Sequence, residues 1–171
     1  TLTVNRASDI LAALELKKKY KLDLVLLGCA EGWRVAKAIA DSKTPVIVMP
    51  TQNLPSSFDT LGARMDNAAL LHRAGVTVAL GELGEAHNAR NIKQEAGVAI
   101  ANGLDPEAAL SAVTLNIAAA YGMDKDYGSI EDGQVANGWL RASHRAIDEA
   151  RSRPNRPFHM HTSEEKLASG E

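Results

Sequence analysis

At 171 residues, with 45% hydrophobic content and a formal net charge of −2, the chain is sized for one ordinary globular domain with enough apolar material for a core. The near-neutral balance offers no basic field to attract nucleic acid or acidic lipid. No apolar run approaches the roughly 18 residues that a membrane span needs, so the sequence predicts a soluble protein with neither nucleic acid nor membrane as its partner. Cys29 is the only cysteine, which rules out an intramolecular disulfide and leaves the compartment, cytoplasmic or periplasmic, open. The chain starts at Thr1 with neither an initiator Met nor the charged flank and apolar core of a signal peptide, which points to missing sequence upstream.

Strand-like and helix-like segments then alternate. Leu2-Thr3-Val4 is β-prone, and Ser8 or Asp9 can cap a helix whose apolar positions Ile10, Leu11, Leu14 and Leu16 fall on one side. Leu24 to Leu27 reads as a strand covered on both faces, and Gly28-Cys29-Ala30-Glu31 leads into a helix carrying Trp33, Val35, Ala36 and Ile39. Pro45 opens the run Val46 to Met49 and Pro50 closes it. The loop Thr51 to Asp59 then precedes a helix through Leu61, Met65, Ala68, Ala69 and Leu71. Gly75 is a left-handed stop, and Val76 to Leu80 forms the fourth strand. After the polar stretch that follows, a helix starts near Asn88 and ends at Gly103. Asp105-Pro106-Glu107 opens the last helix, with Leu110, Val113, Leu115, Ile117 and Tyr121 on its stripe and Gly122 as its stop.

Four βα units with short connections predict an α/β fold with a parallel sheet. Such a sheet can be half of an eight-stranded barrel, a half-barrel that pairs with another chain, or a small open sheet of the doubly wound kind. In each case ligands bind at the C-terminal ends of the strands. The polar loop after the fourth strand, with Glu82, Glu85, His87 and Asn88, is therefore the main candidate site. Arg90, in the first turn of the next helix, can clamp a substrate carboxylate, and Gln52 and Asn53 in the loop after the third strand can line a pocket. Each has a plainer reading. A polar loop is also a solvated loop, Asn88 can cap its helix, Arg90 can make a surface ion pair, and the prolines flanking Gln52 and Asn53 can just fix a turn. Cys29 reads as a buried small hydrophobe ahead of a nucleophile, and Gly81-Glu82-Leu83-Gly84 lacks the phosphate-loop pattern.

Several stretches, in order, resemble the amidohydrolase superfamily of metal-dependent hydrolases, in the branch near imidazolonepropionase and prolidase-like enzymes. They are NRASDI at Asn5 to Ile10, GCAEGWRVA at Gly28 to Ala36, NLPSSFDTLGARMDNAALLHRAGV at Asn53 to Val76, and the run from His87 to Met123. GSIEDGQVA at Gly128 to Ala136 completes the set. The resemblance implies the second half of a (β/α)8 TIM-type barrel over residues 1–123, strands five to eight. It also implies a return toward a small β-domain over 124–136 and a divergent, partly disordered tail over 137–171. The implied reaction is hydrolysis of a C–N bond in an amide, cyclic amide or dipeptide-like substrate, with a divalent metal such as zinc activating water.

The departures from the family pattern matter. Where the family places metal-binding histidines and an aspartate, this chain has Asn5, Gly28 or Cys29, and Glu82 or Leu83, so no complete metal site is expected from this chain. Glu82 and His87 are left as the residues able to act as acid or base. After Ala136 the resemblance stops. His159 and His161 form HMH, but the polar flanks argue against a ligand pair. Two readings follow, an amidohydrolase-like fragment inactive by itself and a non-catalytic half-barrel that binds a small ligand or a partner. Unpaired sheet edges add the expectation of a homodimer.

Overall fold

A computed structural model describes residues 1–81, 90–132 and 134–135, all within the first of the chain's two units, Thr1–Ala136. The readings made on Glu82, Glu85, His87, Asn88, His159 and His161 lie outside the described residues, as does all of 137–171.

The strands are β1 (Leu2–Val4), β2 (Leu26–Gly28), β3 (Val46–Val48) and β4 (Val78–Leu80). They form one parallel sheet in the order β1-β2-β3-β4, with Leu2 opposite Leu26, Leu26 opposite Val46, and Val46 opposite Val78. Between and after them come α1 (Ala7–Tyr20), α2 (Ala36–Asp41), α3 (Asn67–Arg73), α4 (Ile92–Ala101), α5 (Pro106–Ala112) and α6 (Leu115–Ala120).

Strand alternation sorts the core into two layers. Leu26, Val46, Val48, Val78 and Leu80 point to one face, where Ile10 and Ala13 of α1, Ile39 of α2, Leu71 of α3, Ala99 of α4 and Ala109 and Ala112 of α5 cover them. Val25, Ile47 and Ala79 point to the other face, where Leu27 and α6's Ile117 and Ala120 pack. Neighbouring strands in sequence are neighbours in space, and five helices share one face. A doubly wound sheet would instead reverse its strand order at a switch point, whereas this order runs straight from β1 to β4. Of the three architectures open to the sequence, the winding is that of a barrel wall. Asn116 of α6 donates to the Val78 carbonyl at 2.7 Å, which fixes α6 against the start of β4.

Glycine stops sit where expected. Gly75, Gly103 and Gly122 have φ of +85°, +95° and +68°, and Asp105 caps α5 by accepting from the N–H groups of Glu107 and Ala108. Five local expectations fail. Neither Ser8 nor Asp9 caps α1. The helix begins at Ala7, whose N–H is taken by Glu31 Oε2 at 3.0 Å, so a neighbouring unit supplies the cap. Leu11 and Leu16 are exposed, because the buried stripe of α1 is carried by Ile10 and Ala13. Trp33 lies in a separate 3₁₀ turn, Gly32–Arg34, and Leu61 and Met65 precede α3 instead of lying on it. The helix expected to run on to Tyr121 breaks at Val113 and Thr114 into α5 and α6, which lets α6 cross to the other face of the sheet. No described helix is long and apolar enough to cross a membrane.

Candidate active-site face

The C-terminal ends of the strands lie side by side, and the loops leaving them are tied together by side chains. Gly28 ends β2 at φ +86°, and a Cβ there would meet Asn5 Oδ1, from the end of β1, at 2.6 Å. The glycine thus lets the Asn5 amide lie flat on the neighbouring strand end. Backbone bonds join the same two ends, Cys29 N–H to the Val4 carbonyl at 2.7 Å and Glu31 N–H to the Asn5 carbonyl at 2.9 Å.

Asn67, at the start of α3, is fully buried. Its Nδ2 donates to the Cys29 carbonyl at 2.9 Å and its Oδ1 accepts the Trp33 N–H at 3.0 Å, so one side chain sets the path of the loop after β2. That loop presents Trp33, whose indole N–H donates to the Gly62 carbonyl at 2.9 Å. Two guanidinium groups lie over the indole, Arg34 at 4.9 Å and Arg64 at 4.8 Å from the ring centre. Arg64 is also held by Asp66 through two bonds of 2.8 and 2.7 Å. That bond is the main reason the Asp66 carboxyl titrates below its usual range.

The loop after β3 is anchored separately. Its 3₁₀ turn, Pro50–Gln52, is held by Glu95 of α4, a carboxylate only 1% exposed that accepts both the backbone N–H and the hydroxyl of Thr51. Asn53 donates its amide to the Arg64 carbonyl, joining this turn to the segment that carries Arg64. An Arg6–Asp59 ion pair of 2.6 Å links the loop after β1 to the Phe58–Thr60 turn. The loops of three strands and the helix after the fourth therefore form one connected face.

Of the residues that the sequence proposes, Gln52 is exposed on that face, Asn53 spends its amide on Arg64, and Arg90 is exposed just before α4. Cys29 is fully buried and burial pushes its thiol up to about 12, which fits the packing reading. Sequence reasoning passed over Asn67, Glu95, Glu31 and the Trp33 stack. Glu95 carries a legible signal, since it shares a helix face with the buried Ala99. Asn67 stands beside the buried Ala68 and Ala69, and a polar residue in that setting points to a bonding role. Glu31 and Trp33 carry none, because their partners are distant in sequence.

A divalent cation needs several anionic or imidazole donors converging on one point. The strand ends described here offer the neutral amide of Asn5, no side chain at Gly28 and a buried thiol at Cys29. Among the described residues no group of three or more His, Cys, Asp and Glu side chains could hold a metal. The described residues therefore do not fit the metal that the resemblance implies.

Residues 15–138 match the amidohydrolase family, and the chain belongs to that family. A solved structure of an amidohydrolase from Thermotoga maritima MSB8 is similar, with a TM-score of 0.73 and 28% sequence identity over 78% of this chain. The match spans 35% of that protein's chain. No curated protein matches the sequence.

Proposed function

We propose that this chain forms the C-terminal half of a barrel, strands five to eight, in a hydrolase that cleaves a C–N bond of an amide, cyclic amide or dipeptide-like substrate. The branch it fits is that of imidazolonepropionase and prolidase-like enzymes. The observation that carries the reading is the singly wound parallel sheet, with its loops joined into one polar face, over a stretch belonging to the amidohydrolase family. In this reading Glu82 and His87 take the acid and base roles by their place after β4, and Gln52, Asn53, Glu85, Asn88 and Arg90 meet the substrate. Because the described residues do not suit zinc, the chain is proposed to be inactive by itself.

The test is turnover of an N-acyl amino acid, a dipeptide and imidazolone propionate with and without added zinc, beside metal analysis of the purified protein. No turnover and no bound metal are expected. Hydrolysis that zinc stimulates and a chelator abolishes would overturn the inactivity and keep the reaction class.

A second reading, a half-barrel that pairs with another copy of itself, is favoured by one observation. Among the described residues the outer edges of β1 and β4 pair with no further strand. Light scattering over a dilution series should give a dimer mass, and a monomer mass at every concentration excludes the pair.

A further inference from the structure

Three arginines stand in the loops at the C-terminal ends of β1, β2 and β3, and they are not equivalent. Arg6 is paired with Asp59 at 2.6 Å, and Arg64 is gripped by Asp66 through both Nε and Nη2. Arg34 is different. Its Nε lies 3.9 Å from Glu31 Oε1, beyond hydrogen-bond reach, and its two Nη groups have no partner among the described residues. The carboxylate beside it is already committed, since Glu31 Oε2 caps α1 at Ala7.

The Arg34 guanidinium is nonetheless held in place. It lies on Trp33, and that ring is fixed by the Gly62 carbonyl, by Asn67 through the Trp33 backbone, and by Arg64 at 4.8 Å. A half-exposed guanidinium with a fixed plane and a free outer edge has already lost much of the freedom that anion binding would cost. Its donors match the two oxygens of a carboxylate, and it projects from a loop at the ligand-binding end of a parallel sheet.

We infer that Arg34, stacked on Trp33, receives the carboxylate of an N-acyl amino acid or similar anionic substrate at the face that β1 to β4 present. The inference rests on the proposed hydrolase reading for its substrate class, but it concerns binding and requires no turnover. Arg90 is the competing clamp. It is exposed just before α4, with no ring contact or hydrogen bond to a described residue to fix its direction.

The test uses the full chain in a Trp139→Phe background, which leaves Trp33 as the only tryptophan. N-acetyl-alanine is titrated by following tryptophan fluorescence, with the uncharged N-acetyl-alaninamide as control. Saturable binding of the acid alone is expected, weakened about tenfold or more in Arg34→Gln, partly restored in Arg34→Lys, weakened less in Arg90→Gln and unchanged in Lys37→Gln, at an exposed position outside the site. A circular dichroism spectrum and melt matching the parent confirm that Arg34→Gln is folded. Equal binding of acid and amide, no binding of either, or loss of binding in Arg90→Gln with Arg34→Gln unaffected, would each overturn the inference. Hydrolysis in the same samples would bear on the proposed inactivity and leave the carboxylate contact standing.

Discussion

Thr51 gives both of its donors to Glu95. The backbone N–H meets Oε2 at 3.0 Å and the hydroxyl meets Oε1 at 2.5 Å, so both oxygens of a carboxylate that is 1% exposed are bonded by one residue. The arrangement explains how α4 can bury an acid at a helix face otherwise lined by alanines. It also gives the turn after β3 a fixed position relative to a helix 44 residues further along the chain.

Glu95→Gln separates shape from hydrogen-bond chemistry. The amide oxygen can accept from only one part of Thr51 with its usual geometry, and the NH2 is turned toward a donor, leaving one buried group unsatisfied. A loss of about 1–3 kcal/mol is expected. Urea unfolding is the measurement. An unchanged midpoint would mean that the Thr51–Glu95 pair does not hold the turn.

Asn67→Ala removes the two bonds that shape the loop after β2. The Cys29 carbonyl and the Trp33 N–H lose their partner, and the cavity left is too confined for easy repair by solvent. The expected cost is about 3 kcal/mol. Asn67→Asp keeps an acceptor for Trp33 but sets an oxygen against the Cys29 carbonyl, so it should also destabilise. Thermal melts of both variants decide, and full stability of Asn67→Asp would show that the Cys29 contact is dispensable.

The βα order was legible because β2, β3 and β4 are short apolar runs closed by glycine or proline, as at Val46 to Val48 before Pro50. Boundaries were less so. Val113 ends α5 and Thr114 starts α6 with no turn residue to announce the break, which matters because α6 must reach the opposite face of the sheet. The α1 cap was misread for a related reason. Ser8 and Asp9 are good capping residues, but Glu31 reaches Ala7 from 24 positions away, a contact visible only once β1 and β2 are paired. The same holds for the candidate site. Residues placed by their distance from a strand end, such as Gln52 and Asn53, could be read, whereas Arg34 and Arg64 meet only across the Trp33 ring.

The Arg64–Asp66 pair predicts an acid-sensitive signal from Trp33. Hydrogen bonding from Arg64 lowers the Asp66 pKa in the folded chain from its ordinary 3.8. A group whose folded pKa is depressed contributes stability that is complete above the unfolded value and is lost as the pH falls through the lower, folded one. In the Trp139→Phe background the fluorescence should therefore stay level down to about pH 4 and change only below it. Asp66→Asn should lose that acid step. A step in the parent centred above the ordinary carboxylate range, or one that survives in Asp66→Asn, would assign the change to another group.

Cys29 gives the converse case at high pH. Burial raises its thiol from an ordinary 9.0 to about 12, so between those values the folded chain keeps a proton that the unfolded chain has released. With more protons bound to the folded form, stability falls as pH rises through that window. At pH 8 the thiolate is on the order of one part in ten thousand, and the side chain is also out of reach of reagent. Ellman's reagent should then label the native protein only as fast as it opens, with full labelling after denaturation. Asn67→Ala should label faster, because it frees the Cys29 carbonyl and loosens the loop that carries the cysteine. Cys29→Ala should remove the alkaline loss of stability and leave the fold intact. Rapid labelling of the native parent at pH 8 would show that the thiol is accessible and that the packing reading of Cys29 is wrong.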